Sequence, residues 1–492
     1  MRRNLPRLLI FLICLCGFLD SKPPKFVVTP EIQAALDDIR PDPLRGDLSF
    51  LASDALEGRN TPSRGLDIAA EYIAAQFRAA GLEAGGDDGY FQTARMAVVR
   101  PDLTGFQLKL SRGERSLNVN SSDASLAVGA ALDLKDAPVF KLDLSDPGQV
   151  EALKPAEING KVVLMELRRS AMRNYRAAAQ KLRDGRPAVI LSIDPAAGEH
   201  PNGERLIDPE QPSSGTPRIT LTVPSATAFY AFLKPGLSGA TASIHLAAPI
   251  QTAVRLHNVL GILRGSDPNL KDTAVLLTAH YDHLGEKPNG SGDRIYNGAN
   301  DDGSGTVSVI EIARALATLK QHPRRSIIFM TFFGEEEGLF GSRYYAHHPA
   351  WPIPKTIADV NLEQVGRTDS SEGPQISNAS VTGFDYSSVT EYLREAGELT
   401  GIKVYKNSRN DDAYFGASDN LSLAEAGVPA HTLCVAFEFP DYHAVGDEWQ
   451  KIDYANMAKV DRAVALAVVM LASSDEAPHW NAANPRAARF RK

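Results

Sequence analysis

The segment NGANDDGSGT, residues 297–306, sets Asp301 beside Asp302 in a glycine-rich turn just ahead of an apolar helical run. Other polar residues stand at comparable places. His280, Asp282 and His283 end the stretch TAVLLTAHYDH, Glu335, Glu336 and Glu337 follow RSIIFMTFFG, Glu363 closes IADVNLE, and His443 lies in DYHAVGD beyond AHTLCVA. If those apolar runs are strands of one sheet, their polar ends converge beyond one edge, where ligands of open α/β sheets bind. Two imidazoles gathered there with three carboxylates, Asp301, Glu336 and Glu363, have the composition of a two-metal ligand set.

Charge supports that reading. Three ionised carboxylates held together would repel and raise one another's pKa. Two divalent cations supply four positive charges against three negative ones, and a bridging hydroxide closes the balance. Mixed nitrogen and oxygen donors suit zinc, with cobalt or manganese as substitutes, while neutral imidazoles argue against calcium and magnesium.

The elements that must position these residues are legible in the hydrophobic pattern. TAVLLTAHYD, RSIIFMTFFG, IADVNLEQVG and AHTLCVA are apolar or β-branched almost throughout, as strands buried on both faces are. Between them GTVSVIEIARALATL reads as a helix with Val309, Ile312, Ala313, Leu316 and Leu319 on one stripe and Glu311, Arg314 and Thr318 opposite. The expected fold is α/β, a three-layer sandwich with a mostly parallel central sheet. Upstream, residues 41–124 form its N-terminal part. There Leu66, Ala69, Ile73, Phe77 and Ala80 mark a packing helix capped by Ser63 and ended by Gly81. Residues 125–249 change texture to short β-like runs such as KVVLMEL and AVILSI, broken by Pro- and Gly-rich turns, and read as an inserted smaller β-rich domain. His200 and His245 lie there far apart, without a ligand pattern. Residues 250–474 carry the main part of the catalytic domain, and 475–492 read as a polar tail.

Composition narrows the class. The chain has 492 residues, too many for one ordinary core, and its net charge of −8 gives no basic footprint for nucleic acid. Arg2, Arg3 and Arg7 precede the apolar run LLIFLICLCGFL, so residues 1–22 read as a signal peptide or an N-terminal membrane anchor, with export to a periplasmic or extracellular space expected. With Cys14 and Cys16 inside that run, Cys434 is the cysteine left after cleavage, and no intrachain disulfide is expected.

The motifs HYDHLG, GANDDGSG, GEEEGLFGS, NLEQVGR and YHAVGDEWQKID resemble, in order and spacing, those of the co-catalytic zinc metallopeptidase family. That family includes leucine-type aminopeptidases, glutamate carboxypeptidases and glutaminyl cyclases. The resemblance covers most of residues 257–474 and extends more weakly to LASDALEGR and its helix, while residues 125–249 resemble the protease-associated domain often inserted in this family. Carried over residue by residue, it implies that Asp301 bridges two zinc ions. Glu336 and His443 then complete one site, His280 and Glu363 the other, and Glu335 is the general base. Asp302 and the surrounding glycines would hold the bridge in its turn, with a cis peptide between the paired acids. Asp282 is placed to fix the tautomer of His280, and Tyr442 either donates to the developing oxyanion or belongs to the core. His283 reads as a local structural residue, Glu337 as a solvated acid at a helix start, and His347, His348 and His431 as surface or packing residues.

The sequence departs from the family at one ligand. Most two-zinc relatives carry Asp where this chain has Glu363, which puts the second metal's affinity in question. The resemblance implies a zinc-dependent exopeptidase, in first place an aminopeptidase removing N-terminal residues from peptide substrates through a metal-bridged water. A glutaminyl cyclase-type acyltransferase and a non-catalytic binding protein on the same scaffold are the alternatives. The loop KNSRNDDAYFGASDN offers Arg409 for a substrate carboxylate and Asp411 and Asp412 for a substrate amine, so the pattern leaves aminopeptidase and carboxypeptidase both open.

Overall fold

The computed structural model describes residues 26–194, 204–211 and 215–492. The N-terminal reading of residues 1–22, with Cys14 and Cys16, and His200 lie outside these. Among the described residues no helix is long and apolar enough to cross a membrane.

Eight strands carry the main sheet: β1 (Phe91–Arg100), β2 (Ile250–Leu263), β3 (Ala274–His280), β4 (Ser326–Phe332), β5 (Thr356–Glu363), β6 (Asn378–Val381), β7 (Lys403–Tyr405) and β8 (Ala430–Cys434). Their order is β7–β6–β8–β5–β3–β4–β2–β1, with the short strand Arg205–Ile207 outside β1 and Glu83–Ala84 against β2. Every residue of β3, β4, β5 and β8 is buried, which is why these strands are apolar without alternation. They pair in parallel as β8–β5–β3–β4. The flanks β2–β4, β1–β2 and β6–β8 are antiparallel. The sheet is therefore mixed, where a mostly parallel one was expected, and its parallel centre is what the sequence pattern captured.

One face packs the helices Pro30–Asp38, Pro41–Leu51, Arg64–Ala79, Gly305–Ala317 and Tyr454–Ser473 into a single apolar core. The other face carries Phe340–His347 and Asn420–Ala426. Helix Arg64–Ala79 starts where expected, with the Leu66 amide donating to Ser63 Oγ at 3.1 Å, and Gly81 follows it at φ +77°. Helix Gly305–Ala317 differs from its expected two-faced form. Glu311 is only 4% exposed because neighbouring helices close over this side, and Arg314 bridges Glu311 to Asp47 at 3.3 and 2.6 Å.

A second, eight-stranded sheet occupies residues 107–246. It begins at Gln107, upstream of residue 125, because Gln107–Arg112 and Arg115–Val119 alternate buried and exposed residues as a hairpin of that sheet. It has its own apolar cluster, including Leu110, Val162, Leu164, Ile193 and Ile244. The segment read as a polar tail is packed: Trp480, Ala487 and Phe490 are buried, and the Trp480 indole donates to Gly427 O at 2.9 Å.

Candidate active site

Because β3, β4, β5 and β8 are parallel and in register, with His280 opposite Phe332 and Glu363 opposite Cys434, their carboxyl ends open on one side. His280 and Glu363 are the last residues of β3 and β5, Glu335 and Glu336 follow β4, and Tyr442 and His443 follow β8. The turn with Asp301 and Asp302 enters helix Gly305–Ala317 from the same side, and the Asp301–Asp302 peptide is cis.

The distances define two pairs of donors around one carboxylate. His280 Nε2 lies 3.4 Å from Asp301 Oδ1 and 3.5 Å from Glu363 Oε1. On the other side His443 Nε2 lies 3.1 Å from Asp301 Oδ2 and 3.4 Å from Glu336 Oε2. Glu335 Oε2 stands 3.9 Å from His280 Nε2. These five donor residues and Glu335 thus meet at one place. His283 joins them, with Nδ1 2.7 Å from Glu336 Oε1. His280, Asp301 and Glu363 are spaced as one group able to hold a metal ion, and His283, Asp301 and Glu336 as another.

Electrostatics show what the cluster lacks. Burial, with neighbouring carboxylates adding to it, drives Glu335, Glu336 and Asp302 well above the usual carboxylate range. Burial would raise Asp301 as well, but the adjacent rings of His280 and His443, at 3.4 and 3.1 Å, outweigh that and hold it low. For His280 burial acts downward and is overcome by Glu363 and Glu335, which raise the ring. His283, by contrast, is lowered by burial to about 4 and is neutral at ordinary pH. His280 Nε2, His283 Nε2 and Asp301 Oδ2 are buried without a hydrogen-bond partner. Buried polar atoms left unpaired among unneutralised acids are what divalent cations would satisfy, so the donor set fits metal.

The supporting contacts explain the sequence around the ligands. Asp302 accepts from the amides of His280 (3.3 Å), Gly305 (3.1 Å) and Gln364 (3.1 Å), tying the turn to β3 and to the end of β5. A Cβ on Gly305 would lie 2.4 Å from that carboxylate, and one on Gly298, at φ +55°, 2.4 Å from the His283 ring. Both positions require glycine. Asp282 Oδ1 stands 3.5 Å from His280 Nδ1, and Asp282 makes further contacts. His280 Nδ1 meets its backbone carbonyl at 3.2 Å, while the carboxylate accepts from the Glu335 amide at 3.0 Å and the Thr61 hydroxyl at 3.1 Å. Ser418 donates to Glu363 Oε1 at 2.6 Å and itself accepts from Asn361 Nδ2 at 2.8 Å. Tyr442 is 46% exposed and stacks on His443 with ring centroids 4.0 Å apart, which removes the core reading.

Two supports were not singled out from sequence. Arg59, 1% exposed, donates to the carbonyls of Tyr281, Leu51, Asn297 and Gly298, and burial lowers it to about 10. Asp447, pushed up to about 6 by burial, accepts from the amides of Asn300 and Asp301 at 2.9 and 3.1 Å. Each sits inside a quoted motif, LASDALEGR and YHAVGDEWQKID, but only the tertiary contacts reveal what it does. His347 and His348 are exposed, Glu337 is exposed, and His431 is buried in β8.

A cavity of about 580 Å³ opens on this cluster, lined by Asp301, Glu335, Glu336, Glu363 and Glu438, by Tyr442 and His443, and by Tyr414, Phe437 and Ser418. No Lys or Arg is among its lining residues. The three charged residues weighed in the loop are engaged elsewhere: Asp411 pairs with Lys406 at 3.2 Å, Asp412 with Arg486, and Arg409 with Glu372 at 3.6 Å.

Residues 258–468 match the sequence profile of peptidase family M28. Aminopeptidase YwaD of Bacillus subtilis is 28% identical over 227 residues, covering 45% of this chain and 46% of that protein. A probable zinc metalloprotease of Pyrenophora teres is 42% identical over 215 residues, covering 38% and 43%. The chain thus spans less than half the length of these relatives. Among solved structures, the aminopeptidase of Aneurinibacillus sp. strain AM-1 superposes with a TM-score of 0.57 at 20% identity, over 92% of this chain and 97% of that one. BSAP, a zinc aminopeptidase from Bacillus subtilis, does so at 0.51 and 22%, over 87% and 94%. At those identities the superpositions show a shared α/β fold.

Proposed function

We propose, from the match of residues 258–468 to peptidase family M28, that the chain is a zinc-dependent exopeptidase, an aminopeptidase hydrolysing N-terminal residues from peptides. The observation that carries the choice is the cavity lining, in which Glu335 and Glu438 add to the three carboxylates that the metals would offset, and no Lys or Arg stands to bind a carboxylate. A substrate's free α-ammonium is attracted there, whereas a free α-carboxylate would be repelled. A carboxypeptidase needs the reverse. The relatives named as aminopeptidase and zinc metalloprotease agree with this reading.

Two zinc ions are proposed. His280, Asp301 and Glu363 would hold one and His443, Asp301 and Glu336 the other, with Asp301 shared. His443 is preferred to His283 for the second because its Nε2 faces both Asp301 and Glu336, while His283 meets Glu336 through Nδ1 and orients it. Zinc bound there supplies Lewis acidity to the scissile carbonyl and acidifies water. The remaining roles belong to the chain. Glu335, with Oε2 on the cavity side of His280, takes the proton of the attacking water and returns it to the leaving amine. Asp282 fixes the Glu335 backbone by accepting its amide. Burial, reinforced by neighbouring acids, raises the Tyr442 phenol, which therefore keeps its proton and can donate to the oxyanion. The sheet of residues 107–246 is proposed to be the inserted protease-associated-like module, and residues 1–22 to direct export.

The test is mass spectrometry of a mixed peptide pool incubated with the full chain and zinc. Peptide ladders shortened from the N-terminus are expected; shortening from the C-terminus, or cyclised N-terminal glutamine without hydrolysis, would replace this reading by carboxypeptidase or cyclase.

A further inference from the structure

We propose that the cavity selects peptides whose first residue carries a long cationic side chain, lysine or arginine, and that Glu438 is the residue that reads this charge; the inference rests on the aminopeptidase reading above. Glu438 lines the same cavity as Glu335 and His443, yet its side-chain contacts are with neither metal-site ligands nor the general base. The Tyr414 hydroxyl donates to its Oε1 at 3.1 Å and the Ser371 hydroxyl to its Oε2 at 3.0 Å. Each oxygen keeps acceptor capacity free.

The carboxylate is aimed without being neutralised. Arg409, Arg367 and Lys451 have other partners: Arg409 is 3.6 Å from Glu372, Arg367 pairs with Asp369 and Asp441 at 2.6 and 3.0 Å, and Lys451 with Asp441 at 2.9 Å. No described Lys or Arg forms an ion pair with Glu438. Beside it the rings of Tyr414 and Phe437 stack with centroids 5.1 Å apart and planes 9° from parallel. Both rings line the cavity. An aromatic wall leading to a fixed carboxylate accommodates a stem of methylenes and then a charge. The wall favours the apolar stem by burial and the cation by its quadrupole, and Glu438 supplies a charge-assisted hydrogen bond to the tip. Leucine would gain the wall alone, and an acidic first residue would face Glu438 directly.

The substrate's α-ammonium is the competing claimant for Glu438, and kinetics separate the two roles. kcat/KM is measured for lysyl-, arginyl-, leucyl- and glutamyl-p-nitroanilide with the full chain and zinc, for the native protein, Glu438→Gln and Glu438→Lys. The native protein is expected to favour the lysyl and arginyl substrates over leucyl by about tenfold, the scale of one hydrogen bond to a charged group. Glu438→Gln should lower the lysyl-to-leucyl ratio by a similar factor, and Glu438→Lys should shift the ratio towards glutamyl. Because Glu438 is exposed, both variants are expected to keep the native circular dichroism spectrum. A native preference for leucyl, or an equal fall on all four substrates in Glu438→Gln, overturns the assignment. If the native protein cleaves none of the four while peptide ladders still form, the side-chain proposal falls and the aminopeptidase reading stands. Absence of both removes the aminopeptidase reading and this inference with it.

Discussion

Both sheets of this protein contain a run of parallel strands, and only one of them ends in chemistry. In the main sheet β8, β5, β3 and β4 finish on or just before His443, Glu363, His280 and Glu335. In the second sheet Leu132–Leu142, Val162–Glu166, Val189–Ile193 and Arg218–Leu221 are also parallel, with Val162–Glu166 and Val189–Ile193 apolar almost throughout. Their ends carry Asp143, Glu166 and Asp194 and no histidine; Glu166 pairs with Arg168 at 2.8 Å, and Asp143 accepts from the Ser145 hydroxyl at 2.6 Å. Among the described residues the groups able to hold a metal lie in the main sheet alone. Parallel topology thus supplies a crevice, and residue types at the strand ends decide whether the crevice becomes a site.

The largest expected effect tests that contrast directly. Glu335→Gln should retain zinc, measured by atomic emission, and lose about 10³-fold in kcat, within the range for a general base. Glu166→Gln, at a strand end of the second sheet, should leave kcat within about twofold. Comparable losses in both variants would mean that the second sheet contributes to turnover.

The same contrast explains what the sequence could and could not disclose. β3, β4, β5 and β8 are buried on both faces, so their composition announces them, and the residues that follow are the site. β1 was hidden because FQTARMAVVR mixes polar and apolar residues without strict alternation, and its strand state comes from pairing with β2. The packed C-terminal segment was hidden for a related reason. Trp480 and Phe490 stand apart in a polar stretch, and they become core by stacking on each other at 5.3 Å and by packing Phe490 on Phe415 at 5.2 Å. Glu311 looked solvent-facing because a helix pattern records one neighbour, and here helices cover the opposite side too. Contacts between backbone and side chain, such as Arg59 with four carbonyls, leave no periodic trace at all.

Arg59 offers an intermediate test, because it lies outside residues 250–474 yet frames the turn that carries Asp301. Arg59→Lys keeps the charge but cannot reach four carbonyls with one ammonium group. Zinc affinity, read by competition with a chromophoric chelator, should fall about 10- to 100-fold, the usual cost of losing an outer-shell support. Affinity unchanged alongside a lowered Tm would make Arg59 a residue of the fold only.

The smallest effect concerns Glu363, the proposed ligand at the end of β5. Glu363 Oε1 accepts the Ser418 hydroxyl, whose own oxygen is occupied by Asn361, so the only proton Ser418 has is directed at this carboxylate. Glu363→Asp withdraws the carboxylate by one methylene, over an ångström, and gives up that bond while leaving a ligand of the same charge. The loss of one charge-assisted bond, about 1.5 kcal/mol, predicts roughly a tenfold weaker zinc site at His280 with the other site unaffected. Ser418→Ala in the Glu363→Asp background should then add little, since the partner has already moved away, whereas alone it should weaken the same site. Additive losses in that double-mutant cycle would show that Ser418 and Glu363 act independently. A tighter site in Glu363→Asp would show that the shorter carboxylate is the better ligand, and that the longer one serves the cavity beyond it.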